Sequence, residues 1–245
     1  MKLPELTTKY TMQLPYSKLK VKYRPWTVKE QKPMLSTTEV YVQELEKAKQ
    51  LGVEIDQDRI MDVLTDINNA ANEVIKACTF GNLDINSICP AELAYVLLHI
   101  RSKSVSSDAI IKKKCDSCSE ESNVLIEFDK VTIINTDKHS KKIQLNDNFG
   151  VVLNYNMNSL STSMSEIDLI AHSIDYIYNA EDMDDSKTIE QLKDWLENKI
   201  DGIYVDKIKD FLRTQPSLYY EDKFNCEHCS EENVIVINNQ EDFFL

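Results

Sequence analysis

The sequence predicts an α+β fold made of an N-terminal β-hairpin, two helical groups and two β-hairpin knuckles brought together by one four-cysteine site. Three observations predict it. Apolar residues recur at helical spacing in two separate stretches. Runs of β-branched and aromatic residues, bounded by Asn, Asp and Gly, fill the intervals. A short Cys-x-x-Cys unit occurs twice, each time followed by a strand-like run. The coarse order is β, α, β, α, β, which favours segregated helices and strands over a doubly wound sheet.

The elements follow in order. Lys9–Leu14 and Lys20–Tyr23 alternate across Pro15-Tyr16-Ser17-Lys18 and predict a hairpin that Arg24-Pro25-Trp26 ends. Thr27, with Glu30 three residues on, is a capping-box pattern. The first helix is expected to begin or kink near Pro33 and to stop at Gly52. Asp56 opens a second helix, with Ile60, Val63, Leu64, Ile67, Ala71, Val74 and Ile75 on one face. Ser87 or Cys89 caps a third, which has Pro90 at its first position and a Leu93, Val96, Leu97 and Ile100 stripe. Strands are expected at Val124–Phe128, Val131–Asn135 and Val151–Asn156. Helix then returns in three stripes: Ile167, Ile170, Ala171, Ile174 and Ile177; Leu192, Trp195 and Leu196; and Val205, Ile208 and Leu212. Pro216 closes this series, and Leu218–Phe224 and Val234–Ile237 read as final strands. The expected regions are 1–107 (hairpin and helices), 108–160 (first knuckle and β region), 161–216 (second helical region) and 217–245 (second knuckle and tail), forming one compact unit.

The chain has 245 residues, 42% of them hydrophobic, enough for a sizeable core. Its 28 Lys and Arg against 41 Asp and Glu leave a net charge of −13. Such a surface repels phosphate, so duplex nucleic acid and anionic membrane are not expected as partners. The start, Met1-Lys2-Leu3-Pro4-Glu5, carries no targeting pattern, and no apolar run is long enough to span a bilayer. The setting expected from this and from the cysteine spacing is a reducing cytosol.

Four of the six cysteines form the pairs Cys115/Cys118 and Cys226/Cys229. Cys115-Asp-Ser-Cys-Ser-Glu-Glu-Ser-Asn-Val124 resembles Cys226-Glu-His-Cys-Ser-Glu-Glu-Asn-Val234, so one supersecondary unit is used twice. A turn holding Cys-x-x-Cys can point both sulfurs at one centre, and structural Zn2+ takes four soft thiolate ligands. Lys112, Lys113, Lys114 and Lys223 lie just upstream, where their charge favours thiolates. Several readings stand side by side: one four-cysteine zinc site, a metal-free pair of knuckle hairpins, and separate sites completed by His139 or His228. A thioredoxin-like motif is disfavoured because a strand, not a helix, follows each pair. Cys78 and Cys89 read as core residues, and His99 and His172 as packed or surface residues on helices.

No catalytic constellation is visible, and no enzyme is expected. The four glycines form no phosphate loop. There is no nucleophile elbow and no His-Glu-x-x-His. The run Glu181–Asp185 lacks the spaced ligands of an EF-hand and reads as a solvated loop.

A family resemblance runs through several landmarks. Tyr23-Arg-Pro-Trp-Thr-Val-Lys-Glu-Gln-Lys32 resembles the opening of the T4-like phage baseplate hub and hub-assembly proteins. Ser173-Ile-Asp-Tyr-Ile-Tyr178 resembles a helix of that family, and Lys207–Pro216 its later helix ending at proline. Cys226-x-x-Cys229 with Glu241-Asp-Phe-Phe244 is similar to its closing knuckle and aromatic end. Pro33 departs from the family by interrupting a helix that is usually continuous. The resemblance implies a non-catalytic component of a contractile-tail baseplate, in the virion after assembly in the host cytoplasm. Its implied partners are other baseplate hub, wedge or tail-tube and tape-measure proteins, and its alternative role is an assembly factor absent from the mature particle. A zinc-ribbon regulator of nucleic acid is a third reading, which the charge opposes. Tyr23, Arg24, Trp26, Phe243 and Phe244 are the candidate partner-contacting residues.

Overall fold

The structure is a computed structural model that describes residues 6–51, 57–134, 139–155 and 165–238. The fold is α+β, with six α-helices and antiparallel sheets among the described residues. Strands β1 (Tyr10–Gln13) and β2 (Lys20–Tyr23) form the expected hairpin, in the register Tyr10 opposite Tyr23. Helices α1 (Val28–Leu51) and α2 (Gln57–Cys78) follow and pack on each other. Helix α3 (Pro90–Ser104) comes next, with Cys89 at its N-cap. Strands β3 (Asp108–Lys114) and β4 (Glu121–Glu127) make the first knuckle. Strand β5 (Thr132–Ile134) is followed by β6 (Lys142–Asn146) and β7 (Phe149–Leu153). Helix α4 (Glu166–Ser173), strands β8 (Ile174–Asn179) and β9 (Met183–Asp184), and helices α5 (Ile189–Asn198) and α6 (Gly202–Arg213) complete the middle. Strands β10 (Ser217–Asn225) and β11 (Glu232–Ile237) form the second knuckle, with β5 on the other side of β10.

Helix α3 is shared by three cores. Leu93, Val96, Leu97 and Ile100 pack with Leu14, Val21, Tyr23 and the α2 residues Val74 and Ile75. Ala91 joins Cys89, Leu153, Ile170, Leu196, Ile208 and Phe211 in a second cluster. Ala94 and Leu98 enter a third with Val124, Ile126, Leu218, Tyr220, Ile235 and Ile237, the facing sides of the knuckles. A helix apolar on all sides belongs in the interior, and eight of its residues are buried.

Three expectations need correction. Pro33 neither starts nor ends α1. The helix opens at Val28, where the Thr27 N–H and Oγ1 donate to Glu30 Oε2 at 2.7 and 2.6 Å, and it runs through the proline. The stripe ending at Ile174 and Ile177 is half helix and half strand. Helix α4 stops at Ser173, whose carbonyl accepts from the Asn154 N–H at 2.7 Å, and Ile174-Asp-Tyr-Ile-Tyr-Asn179 pairs with β7. The branched and aromatic residues of that segment suit a sheet once β7 is there to receive them. The segment likened to a family helix is therefore mostly strand. Within the acidic run, Met183–Asp184 pairs with β8 instead of forming a plain loop. Strands β6, β8 and β9 have no counterpart in the expected strands. In their sheet Gly150 is required, because a Cβ there would run into the Tyr178 ring opposite it and lie 2.7 Å from the Ile143 carbonyl oxygen.

The residues expected at the partner surface are placed differently from one another. Tyr23 is 3% exposed and serves the first core. Arg24 pairs with Glu30 at 3.0 Å, both side chains largely covered. Burial pushes the Glu30 carboxyl up, but the hydrogen bonds from Arg24 and Thr27 outweigh it and bring it to about 2. Trp26 packs partly buried against the first core, its backbone N–H donating to Ser104 Oγ at 2.9 Å. Tyr23 and Arg24 therefore hold the hairpin to the body and are not offered outward. Phe243 and Phe244 lie outside the described residues.

The hairpin is also held by a buried carboxylate. Glu92 on α3 is fully buried. Its Oε1 accepts the N–H groups of Tyr16 and Ser17 at 2.8 and 2.7 Å and the Ser17 hydroxyl at 3.1 Å. Adjacent backbone N–H groups turned to one point form an anion-binding concavity. Glu92→Ala should cost roughly 2–4 kcal/mol, since it strands buried donors, and Glu92→Gln clearly less. Urea unfolding checks this, and wild-type midpoints for both variants would show that the carboxylate does not anchor the hairpin.

Candidate metal centre

Each knuckle is one six-residue turn. The Cys115 N–H donates to the Glu120 carbonyl at 2.9 Å and the Ser119 N–H to the Cys115 carbonyl at 3.0 Å. The second knuckle repeats this, from Cys226 to Glu231 at 2.9 Å and from Ser230 to Cys226 at 3.0 Å. Ser119 and Ser230 take the left-handed conformation that closes the turn, with φ of 64° and 62°. The N-terminal hairpin uses the same turn. Leu14 donates to Leu19 at 2.8 Å, Lys18 to Leu14 at 3.1 Å, and Lys18 has φ 61°. In the knuckles the turn's inward N–H groups meet a sulfur: Ser117 N–H points at Cys115 Sγ and His228 N–H at Cys226 Sγ, both at 3.4 Å. In the N-terminal turn the corresponding groups meet Glu92. One backbone device thus holds thiolates twice and a carboxylate once.

The two knuckles place Cys115, Cys118, Cys226 and Cys229 together, all four Sγ atoms within 4.8 Å of one another. The direct contacts run between knuckles, Cys115 to Cys229 at 3.7 Å and Cys118 to Cys226 at 3.6 Å. A tetrahedral zinc with bonds of about 2.3 Å would set its sulfurs about 3.8 Å apart. Those two contacts fit that ion and are far longer than the roughly 2.05 Å of a disulfide.

The surroundings of the sulfurs are exchanged between the halves. Ser122 on β4 donates to Cys226 Sγ at 3.5 Å and accepts the Glu227 N–H at 3.1 Å. Asn233 on β11 donates to Cys115 Sγ at 3.4 Å and accepts the Asp116 N–H at 2.9 Å. Both side chains are buried. They occupy equivalent places, four residues past the second cysteine of their own unit. The gapless register therefore sets Ser122 against Asn233 and Val124 against Ile235, one residue away from matching Val124 to Val234. Sequence reasoning passed over this pair. The signal was there in that gapless alignment, which puts a small polar residue inside each otherwise apolar strand face.

Electrostatics separates the four thiols into two kinds. The Ser122 hydrogen bond, then the Cys229 and His228 N–H groups, bring Cys226 down to about 6. The Cys118 N–H does most to hold Cys115 below the usual thiol range. At Cys118 the Glu120 N–H acts downward, but burial and the three neighbouring sulfurs outweigh it and push the thiol up to about 12. Cys229 is also raised. Thiolates this close disfavour one another unless a cation sits among them.

Other candidates take different places. His139 lies in the second core, its ring nitrogens at 2.7 Å from the Tyr155 hydroxyl and 3.1 Å from Thr214 Oγ1. The His228 ring turns away to the Glu121 carbonyl at 3.1 Å. Cys78 and Cys89 are buried, and burial raises their thiols to about 11 and about 12. Lys223 pairs with Glu232 at 2.7 Å, so hydrogen bonds rather than that lysine dress the sulfurs.

With the geometry described, comparison with known proteins adds one decisive match. The profile of the family described as "T4 bacteriophage base plate protein" matches residues 7–245. The chain belongs to that family. Its matched span includes both knuckles and helices α1 to α6, so the four-cysteine cluster is a feature of a base plate protein. No curated protein and no solved structure matches the chain. No helix among the described residues is long and apolar enough to cross a membrane.

Asn233→Ala and Ser122→Ala should each lower metal affinity roughly 10- to 100-fold, as loss of a partner to a metal ligand commonly does. Competition with a chelating dye measures this, and unchanged affinity in both variants would reduce the two residues to packing.

Proposed function

We propose that the chain is a structural component of the hub region of a contractile-tail phage baseplate, working by protein–protein contact, with one structural Zn2+ held by Cys115, Cys118, Cys226 and Cys229. The observation that carries this reading is the convergence of four sulfurs from distant segments in a chain matched to the base plate family almost end to end. The donor set suits zinc: four soft ligands, tetrahedral spacing, and each first-position sulfur hydrogen-bonded by the opposite half. A closed four-thiolate site leaves no position for a substrate, so the metal's role is to fasten.

The partners fitting this reading are other hub, wedge, or tail-tube and tape-measure proteins. The net charge of −13 argues against nucleic acid and anionic membrane. The tail Glu241-Asp-Phe-Phe-Leu245 is the proposed anchor, since adjacent phenylalanines suit a partner's apolar pocket. Trp26 and the open edge of the β1–β2 hairpin are the second proposed contact.

Purified protein should carry about one zinc per chain by elemental analysis, and mass spectrometry should find the chain in purified tail particles. A protein that folds without metal and is missing from particles would replace this reading with a metal-free assembly factor. Deleting residues 241–245 should weaken incorporation into tails more than it lowers the melting temperature; equal losses in both would remove the anchor.

A further inference from the structure

We infer that the four-sulfur site is convertible, so that a peroxide-class oxidant exchanges the metal clasp for two disulfides between the knuckles, Cys115–Cys229 and Cys118–Cys226. This rests on the zinc reading above and deepens it.

The geometry sets the pairing. The sulfur contacts of 3.7 and 3.6 Å both run from one knuckle to the other. Each joins a buried sulfur to a more open one. Cys115 and Cys226 are 2% and 3% exposed, whereas Cys229 is exposed and Cys118 half-buried. An oxidant therefore reaches Cys229 and Cys118 first, and the sulfur already touching each belongs to the opposite hairpin. Ser122 and Asn233 keep Cys226 and Cys115 pointed into the centre while this happens.

The chemistry balances. The Cys229 thiolate attacks one oxygen of hydrogen peroxide, the O–O bond breaks, and a sulfenic acid and hydroxide result. The Cys115 thiolate then attacks the Cys229 sulfur, the S–S bond forms, and a second hydroxide leaves. Cys118 and Cys226 repeat the pair of steps. Four thiolates lose four electrons to two peroxides, four protons neutralise the hydroxides, four waters form, and Zn2+ departs as its ligands are consumed. Both new bonds span the same two hairpins, so the third core keeps its cross-link although the metal is gone. A virion component made among reducing thiols and released into an oxidising medium would pass through this exchange.

The test uses the full-length zinc-loaded protein. Two equivalents of hydrogen peroxide should release about one zinc per chain to a metallochromic dye. Non-reducing peptide mapping should recover the 115–229 and 118–226 links. The oxidised protein should then melt at the same temperature with and without a chelator, whereas the reduced protein should lose stability to it, and a thiol reductant should restore that sensitivity. Links within a knuckle, 115–118 and 226–229, would overturn the inference, as would sulfinic acids in place of disulfides, or zinc retained at a tenfold peroxide excess. If the isolated protein carries no zinc yet still yields both cross-links, the metal reading falls and the pairing stands, so the two ideas fail separately.

Discussion

Four sulfurs within 4.8 Å of one another cannot all be bare thiolates, and the knuckle region is built around that conflict. Hydrogen bonds hold Cys115 and Cys226 down, while burial and the neighbouring sulfurs push Cys118 and Cys229 up. A divalent cation relieves the conflict fully. The facing sides of β4, β10 and β11 come together below the sulfurs, so the same convergence that creates the electrostatic problem also closes an apolar core.

Away from that core, α3 does the uniting. Between Ala91 and Ile100 it is buried on nearly every side, and its residues are divided among three clusters. The N-terminal hairpin is joined to it by Met12, Leu14 and Val21 packing and by Glu92 beneath the turn. The Arg24–Glu30 pair then fixes where the chain leaves the hairpin and enters α1. A sheet of four strands and helices α4 to α6 close over the remaining face.

Much of this was legible in the sequence because it depends on local pattern. The repeated Cys-x-x-Cys announced the site, and the stripes of α2, α3, α5 and α6 announced their buried faces. What stayed hidden depends on distant partners. Ile174 and Ile177 fit a helical stripe as well as a strand, and only β7 decides between them. The Thr27–Glu30 capping box was legible and local, and it starts α1 early enough for Pro33 to fall inside the helix. Leu14-Pro-Tyr-Ser-Lys-Leu19 carries no cysteine, so nothing in its composition reveals that it makes the knuckle turn; the φ of Lys18 does. Tyr23 and Trp26 stood among the candidate contacts because they follow a hairpin whose edge could add to another sheet, and burial assigns Tyr23 to the core.

The distance along the chain between the two cysteine pairs has a consequence for synthesis. The ribosome makes Cys115 and Cys118 long before Cys226 and Cys229, and two thiolates alone are a poor seat for a tetrahedral ion. On the zinc reading, firm capture must wait until Cys226 and Cys229 have emerged, when β10 and β11 bring their own pair. A chain released before Cys226 has half of the cysteine cluster and an exposed third core, which leaves it open to proteolytic clearance.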